Sequence, residues 1–209
     1  MENSAQVARL LLQIKAIKLN AKNPFTWASG LKSPIYCDNR ITLSHTWVRN
    51  EIKQAFVKAA DHFDTFDVIA GVATAGIPHG ALLADALGLP FVYVRSKTKK
   101  HGRQNKIEGA LLPEHRVLVV EDLISTGGSS MEAIDALQSE VAEVVGLLAI
   151  FTYELEHAQK RFADAQIKVQ TLTTYSDLLA IAMEMGYIDQ NDHSLLKAWK
   201  KSPSTWNPT

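Results

Sequence analysis

The chain has 209 residues, 46% of them hydrophobic and 21% charged, and its 22 basic and 22 acidic side chains cancel to a formal net charge of zero. This composition suits one globular domain with a proper core, and the charge balance gives no reason to expect nucleic acid or an anionic membrane as partner. The single cysteine, Cys37, excludes an internal disulfide, and the longest apolar run, residues 144–151, is far too short to cross a bilayer.

Residues 5–19 carry apolar side chains at 7, 10, 11, 14 and 17, a helical stripe. Arg9, Lys15 and Lys18 interrupt its apolar character, so it reads as an amphipathic helix and not as a signal peptide. A cytoplasmic protein is the expectation. Residues 25–38 mix aromatic residues with Ser-Gly and Ser-Pro punctuation and predict a short hairpin. A second helix follows over 46–63. Residues 67–71 predict a strand, a small-residue turn leads on from it, and a helix runs to Leu87, with Gly88 as its cap. Residues 90–94 and 117–120 predict the next strands, with a helix to about 138 after the second. Then come a strand over 144–150, a helix over 155–163, a strand over 167–172, and helices over 175–185 and 191–200. The last nine residues read as a loose tail. Strands alternating with helices predict an α/β fold with a mainly parallel sheet covered on both faces.

The most informative stretch is VLVVEDLISTGGSS, residues 117–130. Four apolar residues read as a buried strand. Glu121 and Asp122 follow at once, then Leu123, Ile124 and a flexible turn, Ser125, Thr126, Gly127, Gly128 and Ser129. A strand that feeds a Gly-rich turn into a helix N-terminus makes a phosphate site, because the N–H groups there are unpaired and the helix dipole favours an anion. Phosphate alone gains nothing from two adjacent carboxylates, but sugar hydroxyls can donate to them. The pattern asks for a ligand with a diol at one end and phosphate at the other, such as a ribose 5-phosphate. The bland alternative is a strand-to-helix turn with a solvated acid pair. A lysine-containing P-loop and a G-x-G-x-x-G fingerprint are both absent from the sequence.

Residues 95–106 hold six Lys or Arg and one His in twelve positions. A solvated basic run is the ordinary reading. The loop is long for its place, however, and long loops in compact domains tend to be functional. Closing over a polyanion would use its charge, stabilise a departing diphosphate and exclude water.

Strand, Glu-Asp and T-G-G-S resemble the signature of the type I phosphoribosyltransferases, which bind 5-phosphoribosyl 1-diphosphate. The segment FTWASGLKSPIYCDNR, residues 25–40, resembles the N-terminal orotate-binding segment of the orotate phosphoribosyltransferases, and the basic loop resembles that family's catalytic loop. The resemblance implies the type I phosphoribosyltransferase fold in a single domain, with an N-terminal hood over about 1–40 and a core over about 41–200. It implies that Glu121 and Asp122 hold the ribose hydroxyls, that residues 121–129 form the phosphoribosyl site, and that Ser125 also touches orotate. Arg95, Lys99 and His101 would contact the diphosphate. Mg²⁺ would be held through substrate oxygens, not by protein side chains. The partners implied are orotate, 5-phosphoribosyl 1-diphosphate and a second copy of the chain, whose loop crosses the dimer interface. The reaction implied yields orotidine 5′-monophosphate and diphosphate.

The chain departs from the family pattern at Ala28, Ser96 and Thr74-Ala75. No arginine lies in 144–153, where Tyr153 is the nearest polar candidate for orotate, and Lys97 is a candidate substitute for a family loop lysine. Trp27, Trp47 and Trp199 are expected to pack, Cys37 to be a small buried hydrophobe, and His79 to be structural. Two rival readings remain: a purine-type phosphoribosyltransferase, and a regulatory protein that binds the sugar donor without catalysis.

Overall fold

In a computed structural model of the chain, residues 2–27, 30, 32–95 and 106–206 are described. The elements run α1 (Glu2–Gln13), β1 (Ile17–Leu19), β2 (Phe25–Thr26), β3 (Lys32–Ser33), β4 (Ile35–Cys37), a 3-10 turn (Asn39–Ser44), α2 (Thr46–Ala60), β5 (Val68–Val72), α3 (Gly76–Leu87) and β6 (Phe91–Val94). They continue with β7 (Ile107–Glu108), β8 (Arg116–Ile124), α4 (Gly128–Ser139), β9 (Glu143–Thr152), α5 (Glu156–Asp164), β10 (Val169–Thr174), α6 (Tyr175–Glu184) and α7 (Gln190–Lys201).

One sheet of six strands organises the molecule, in the order β10-β9-β8-β5-β6-β7. Every pairing in it is parallel except the last, β6 with β7. The central strands are continuous apolar runs because both faces are covered: Val117 to Val120 and Leu147 to Phe151 are fully buried. Strand order reverses between β5 and β8. The β5–β6 and β8–β9 connections therefore advance in opposite directions, and right-handed crossovers put α3 and α4 on opposite faces. The crevice outside the carboxyl ends of β5 and β8 is the topological switch point, where such sheets bind ligands.

Several expected elements differ in the structure. The apolar stripe read as one helix over 5–19 divides into α1 and β1. Lys15, at φ 57°, ends the helix, and Ile17 to Leu19 pair with β4 instead. The hairpin expected over 25–38 is β2 paired with β3, while β4 turns away to β1. The strand expected over 117–120 runs on to Ile124, so the acid pair lies inside β8 and not after it. The basic loop returns through a short antiparallel strand, β7, and Arg95 N–H donates to the Lys106 carbonyl at 2.8 Å at its base. Trp47 is 52% exposed rather than packed. Trp206, in the expected tail, is half-buried against the core.

The N-terminal strands lean on the C-terminal helix through aromatic rings. Trp27 meets Tyr153 at 5.4 Å and Trp199 at 5.8 Å between centroids, and Trp199 meets Tyr175 at 5.4 Å. Such ring pairs add to the area they bury. They fix β1 to β4 above the carboxyl end of the sheet, while α1 packs against β10 and α6.

Candidate functional site

The turn between β8 and α4 is built as the sequence suggested. Gly127 stands at φ 74°, in the left-handed region, and caps α4. A Cβ there would lie 2.9 Å from the Phe162 ring on α5, so glycine is needed for both conformation and space. Thr126 and Ser129 are exposed, and Ser125 and Gly128 are half-buried. The first helical bond runs from the Met131 N–H to the Gly127 carbonyl at 3.0 Å. The N–H groups before it lack intrahelical acceptors and face the switch point.

The acid pair divides into an inner and an outer member. Glu121 is only 5% exposed. Its Oε1 accepts from the Asp122 N–H at 3.0 Å, and its Oε2 accepts from the Ser130 and Ser129 hydroxyls over longer distances, 3.4 and 3.5 Å. Burial, and then the neighbouring Asp122, push the Glu121 carboxyl well above the ordinary carboxylate range. Burial raises Asp122 as well. Asp122 is half-buried. Its backbone carbonyl accepts from the Asn39 side-chain amide at 2.7 Å, which ties the N-terminal segment directly to β8. The sequence reading gave no role to Asn39 or Ser130. Asn39 is fully buried, and its partner lies 83 residues away, a contact no local pattern reveals.

Two further elements complete the crevice. The turn after β5 enters α3 at Gly76, where a Cβ would approach the Val120 carbonyl oxygen to 2.5 Å. Only glycine lets this helix start lie on β8. At the end of β6, Arg95 lines a narrow crevice together with Val72, Ala73 and Ser129, so the first residue of the basic loop and the Gly-rich turn share one space. The Arg95 guanidinium donates to Glu108 Oε1 at 3.2 Å. The structure thus brings together Arg95, Glu121, Asp122 and the turn of residues 125–129. Lys97, Lys99, His101, Ser96 and Ala28 lie outside the described residues.

Other expected features resolve plainly. Tyr153 is 2% exposed inside the aromatic cluster, so it cannot face a ligand. Trp199 is buried, and Trp27 packs against it. The Cys37 thiol donates to Asn39 Oδ1 at 3.3 Å, and burial, then Asp122 and Asp38, push its pKa up, which leaves an unreactive thiol. His79 is 2% exposed in α3 and tilted against Phe56. A cavity of about 1450 Å³ opens elsewhere, between the start of α5 and helices α6 and α7. Its size does not make it the site, because the acid pair and the Gly-rich turn do not line it.

A mainly parallel sheet with a Gly-rich turn and an acid pair at its switch point fits a class of sugar-phosphate-binding transferase. The chain belongs to the phosphoribosyl transferase domain family, whose model matches residues 46–177. Within that class it is similar to the orotate phosphoribosyltransferase of Lactococcus lactis subsp. lactis (strain IL1403), which is 54% identical over 207 residues, 99% of each chain. Among solved structures, the orotate phosphoribosyltransferase of Aeropyrum pernix is 27% identical, with a TM-score of 0.75, over 88% of this chain and 99% of that one. The UMP synthase of Leishmania donovani shares the fold at 24% identity and a TM-score of 0.79, and the chain spans 42% of that longer protein.

Proposed function

We propose that this protein transfers the 5-phosphoribosyl group of 5-phosphoribosyl 1-diphosphate to orotate, giving orotidine 5′-monophosphate and diphosphate, in the route to pyrimidine nucleotides. The observation that carries the reading is the junction of β8 with α4: carboxylates in the strand and free N–H groups in the turn match the two ends of a ribose 5-phosphate. Near-full-length identity to orotate phosphoribosyltransferases supports orotate over a purine base as acceptor. The chain keeps the loop cations in its sequence, which a binding protein without catalysis would not need.

In this reading Asp122, the more accessible acid, takes the ribose hydroxyls, and Glu121 joins it when a diol displaces the long serine contacts. The N–H groups and hydroxyls of Ser125, Thr126, Gly127, Gly128 and Ser129 hold the 5-phosphate, following Leu123 and Ile124 at the strand end. Ser125 also touches orotate. Arg95, Lys99 and His101 face the diphosphate, with Lys97 as a further loop cation. Orotate N1 attacks the anomeric carbon as the bond to diphosphate breaks, and positive charge builds on the sugar in between. The cations stabilise the leaving oxygen more in the transition state than before it.

Mg²⁺ fits the chemistry of this site. Among the described residues no group of three or more His, Cys, Asp or Glu could cage a metal. The ion would be carried by substrate diphosphate and hydroxyl oxygens, in keeping with its preference for oxygen ligands and retained waters. When bound, it neutralises charge on the diphosphate.

The working unit in this reading is a homodimer in which each loop serves the neighbouring site. Each chain is one domain: a core over about 41–200 and a hood over about 1–40, whose strands lie above the acid pair while α1 braces the core. No helix among the described residues is long and apolar enough to cross a membrane, and a free cysteine fits a reducing cytoplasm.

The test is the loss of orotate ultraviolet absorbance when the protein meets orotate, 5-phosphoribosyl 1-diphosphate and Mg²⁺. Turnover of adenine or hypoxanthine without orotate turnover would replace this reading with the purine one.

A further inference from the structure

Orotate carries a carboxylate that uracil lacks, and residues 144–153 contain neither arginine nor lysine. A cation near the acid pair would read that group. The 3-10 turn after β4 supplies one beside the acid pair. Asn39 is anchored to the Asp122 carbonyl at 2.7 Å, and Arg40 is its neighbour in the chain. The Arg40 guanidinium is already oriented: Nε donates to Asp38 Oδ1 at 2.6 Å and Nη2 to Asp38 Oδ2 at 2.9 Å. This bidentate bond uses the lateral edge of the fork. A guanidinium has five N–H donors, so the end formed by Nη1 and the second Nη2 proton remains. Among the described residues Nη1 makes no hydrogen bond, and the side chain is 63% exposed.

We propose that Arg40 is the specificity-determining residue for the acceptor's carboxylate, with Asp38 holding the guanidinium so that its end-on edge meets that group. The inference rests on the orotate reading above and deepens it. Asp122 lies within electrostatic reach of Arg40 and favours its charged form, as does Tyr36. The Asn39 bond to the Asp122 carbonyl holds the adjoining Arg40 near the strand that carries the acid pair. Arginine suits the task because its planar donors match a carboxylate in two parallel bonds, which a lysine cannot reproduce.

The experiment compares two nucleotides that differ only in that carboxylate. Orotidine 5′-monophosphate and uridine 5′-monophosphate are titrated calorimetrically into the wild type, Arg40→Ala, Arg40→Gln and Arg40→Lys. Arg40→Ala and Arg40→Gln should lower the preference for the orotidine nucleotide by roughly tenfold or more, leave uridine nucleotide affinity unchanged, and leave the KM for 5-phosphoribosyl 1-diphosphate near its wild-type value. Arg40→Lys should recover part of the preference. An unchanged preference in the folded alanine and glutamine variants would overturn the assignment, and so would an equal loss for both nucleotides, the mark of a merely structural role. Thermal melts identify a variant that fails to fold, and the lysine and glutamine forms then carry the test. Should the wild type fail to turn over orotate, the function itself falls. If the wild type is active while Arg40 proves neutral, only this inference falls.

Discussion

His79 makes the stability of this protein sensitive to acid in a calculable way. Its ring is 2% exposed in α3, and among the described residues Nε2 has no hydrogen-bond partner. Burial lowers its pKa from 6.5 to about 4. The folded state therefore keeps a neutral imidazole while the unfolded chain takes up a proton. This contribution to stability is complete above the unfolded value of about 6.5 and is lost as pH falls from there towards 4. With those two values the loss is about 2 kcal/mol at pH 5 and approaches about 3 kcal/mol below pH 4. For a domain of this size 2 kcal/mol corresponds to roughly 4–8 °C in Tm. The assay is a set of melts at fixed protein concentration from pH 8 to pH 4.5, for the wild type and for His79→Phe. The difference between the two curves isolates His79 from the acid pair, whose raised pKa values act in the opposite direction. At pH 8 both side chains are neutral and their offset is a constant. Towards pH 5 the wild type should lose ground to the variant by the amount above. A wild-type-minus-variant difference that stays flat from pH 8 to pH 5 would refute the buried neutral histidine.

Three other outcomes follow from the site. Glu121→Gln should become more stable relative to wild type as pH rises above the ordinary carboxylate range, because the wild-type carboxyl, raised by burial and by Asp122, holds in the fold a proton that the unfolded chain gives up; catalytic activity should fall in the same variant, and pH-dependent melts beside turnover assays check both. Gly127→Ala forces a left-handed φ and a Cβ 2.9 Å from Phe162, which should destabilise the fold by about 1–3 kcal/mol and raise the KM for 5-phosphoribosyl 1-diphosphate more than that for orotate. Lys99→Ala should lower the single-turnover rate by about a hundredfold or more with little change in orotate binding; a full turnover number would remove the loop from the chemistry.

Much of this architecture was legible in the sequence because its signals are local. The run Val117-Leu118-Val119-Val120 is β-branched and apolar, and the glycines behind it leave few alternatives to a turn into a helix. Gly88, at φ 66°, ends α3 as expected. Failures arose where tertiary structure overrode a local cue. Ile17 continues the helical stripe of α1 in sequence, yet it hydrogen-bonds to the chain around Cys37. Nothing marks Lys15 as the breaking point, because it is not a glycine. Glu121 and Asp122 looked like the end of a strand, since carboxylates seldom lie inside one. β9 pairs along β8 as far as Ile124 and holds them there. β7 is two residues long just after a basic run, below what periodicity can detect. The Asn39 contact with Asp122 depends on the turn after β4 reaching β8, which no spacing encodes.

The position of the acid pair inside β8 bears on how the site is kept rigid. In a loop, two adjacent carboxylates would turn outward into water and relax apart. Within β8 Glu121 is the inward member, buried against the serines at the start of α4, and Asp122 the outward one, half-buried, with its side chain still in contact with that of Glu121. The inward acid joins the strand to the phosphate helix through the Ser129 and Ser130 hydroxyls, and the outward residue joins it to the hood through its own carbonyl. On the proposed reading, sugar end, phosphate end and acceptor end are thus referred to one segment of β8. Placing reacting groups on one rigid element is what converts binding into orientation. On the proposed reading a buried, raised-pKa carboxylate has a use: the desolvation that weakens the fold at neutral pH strengthens each hydrogen bond that the pair accepts from a diol.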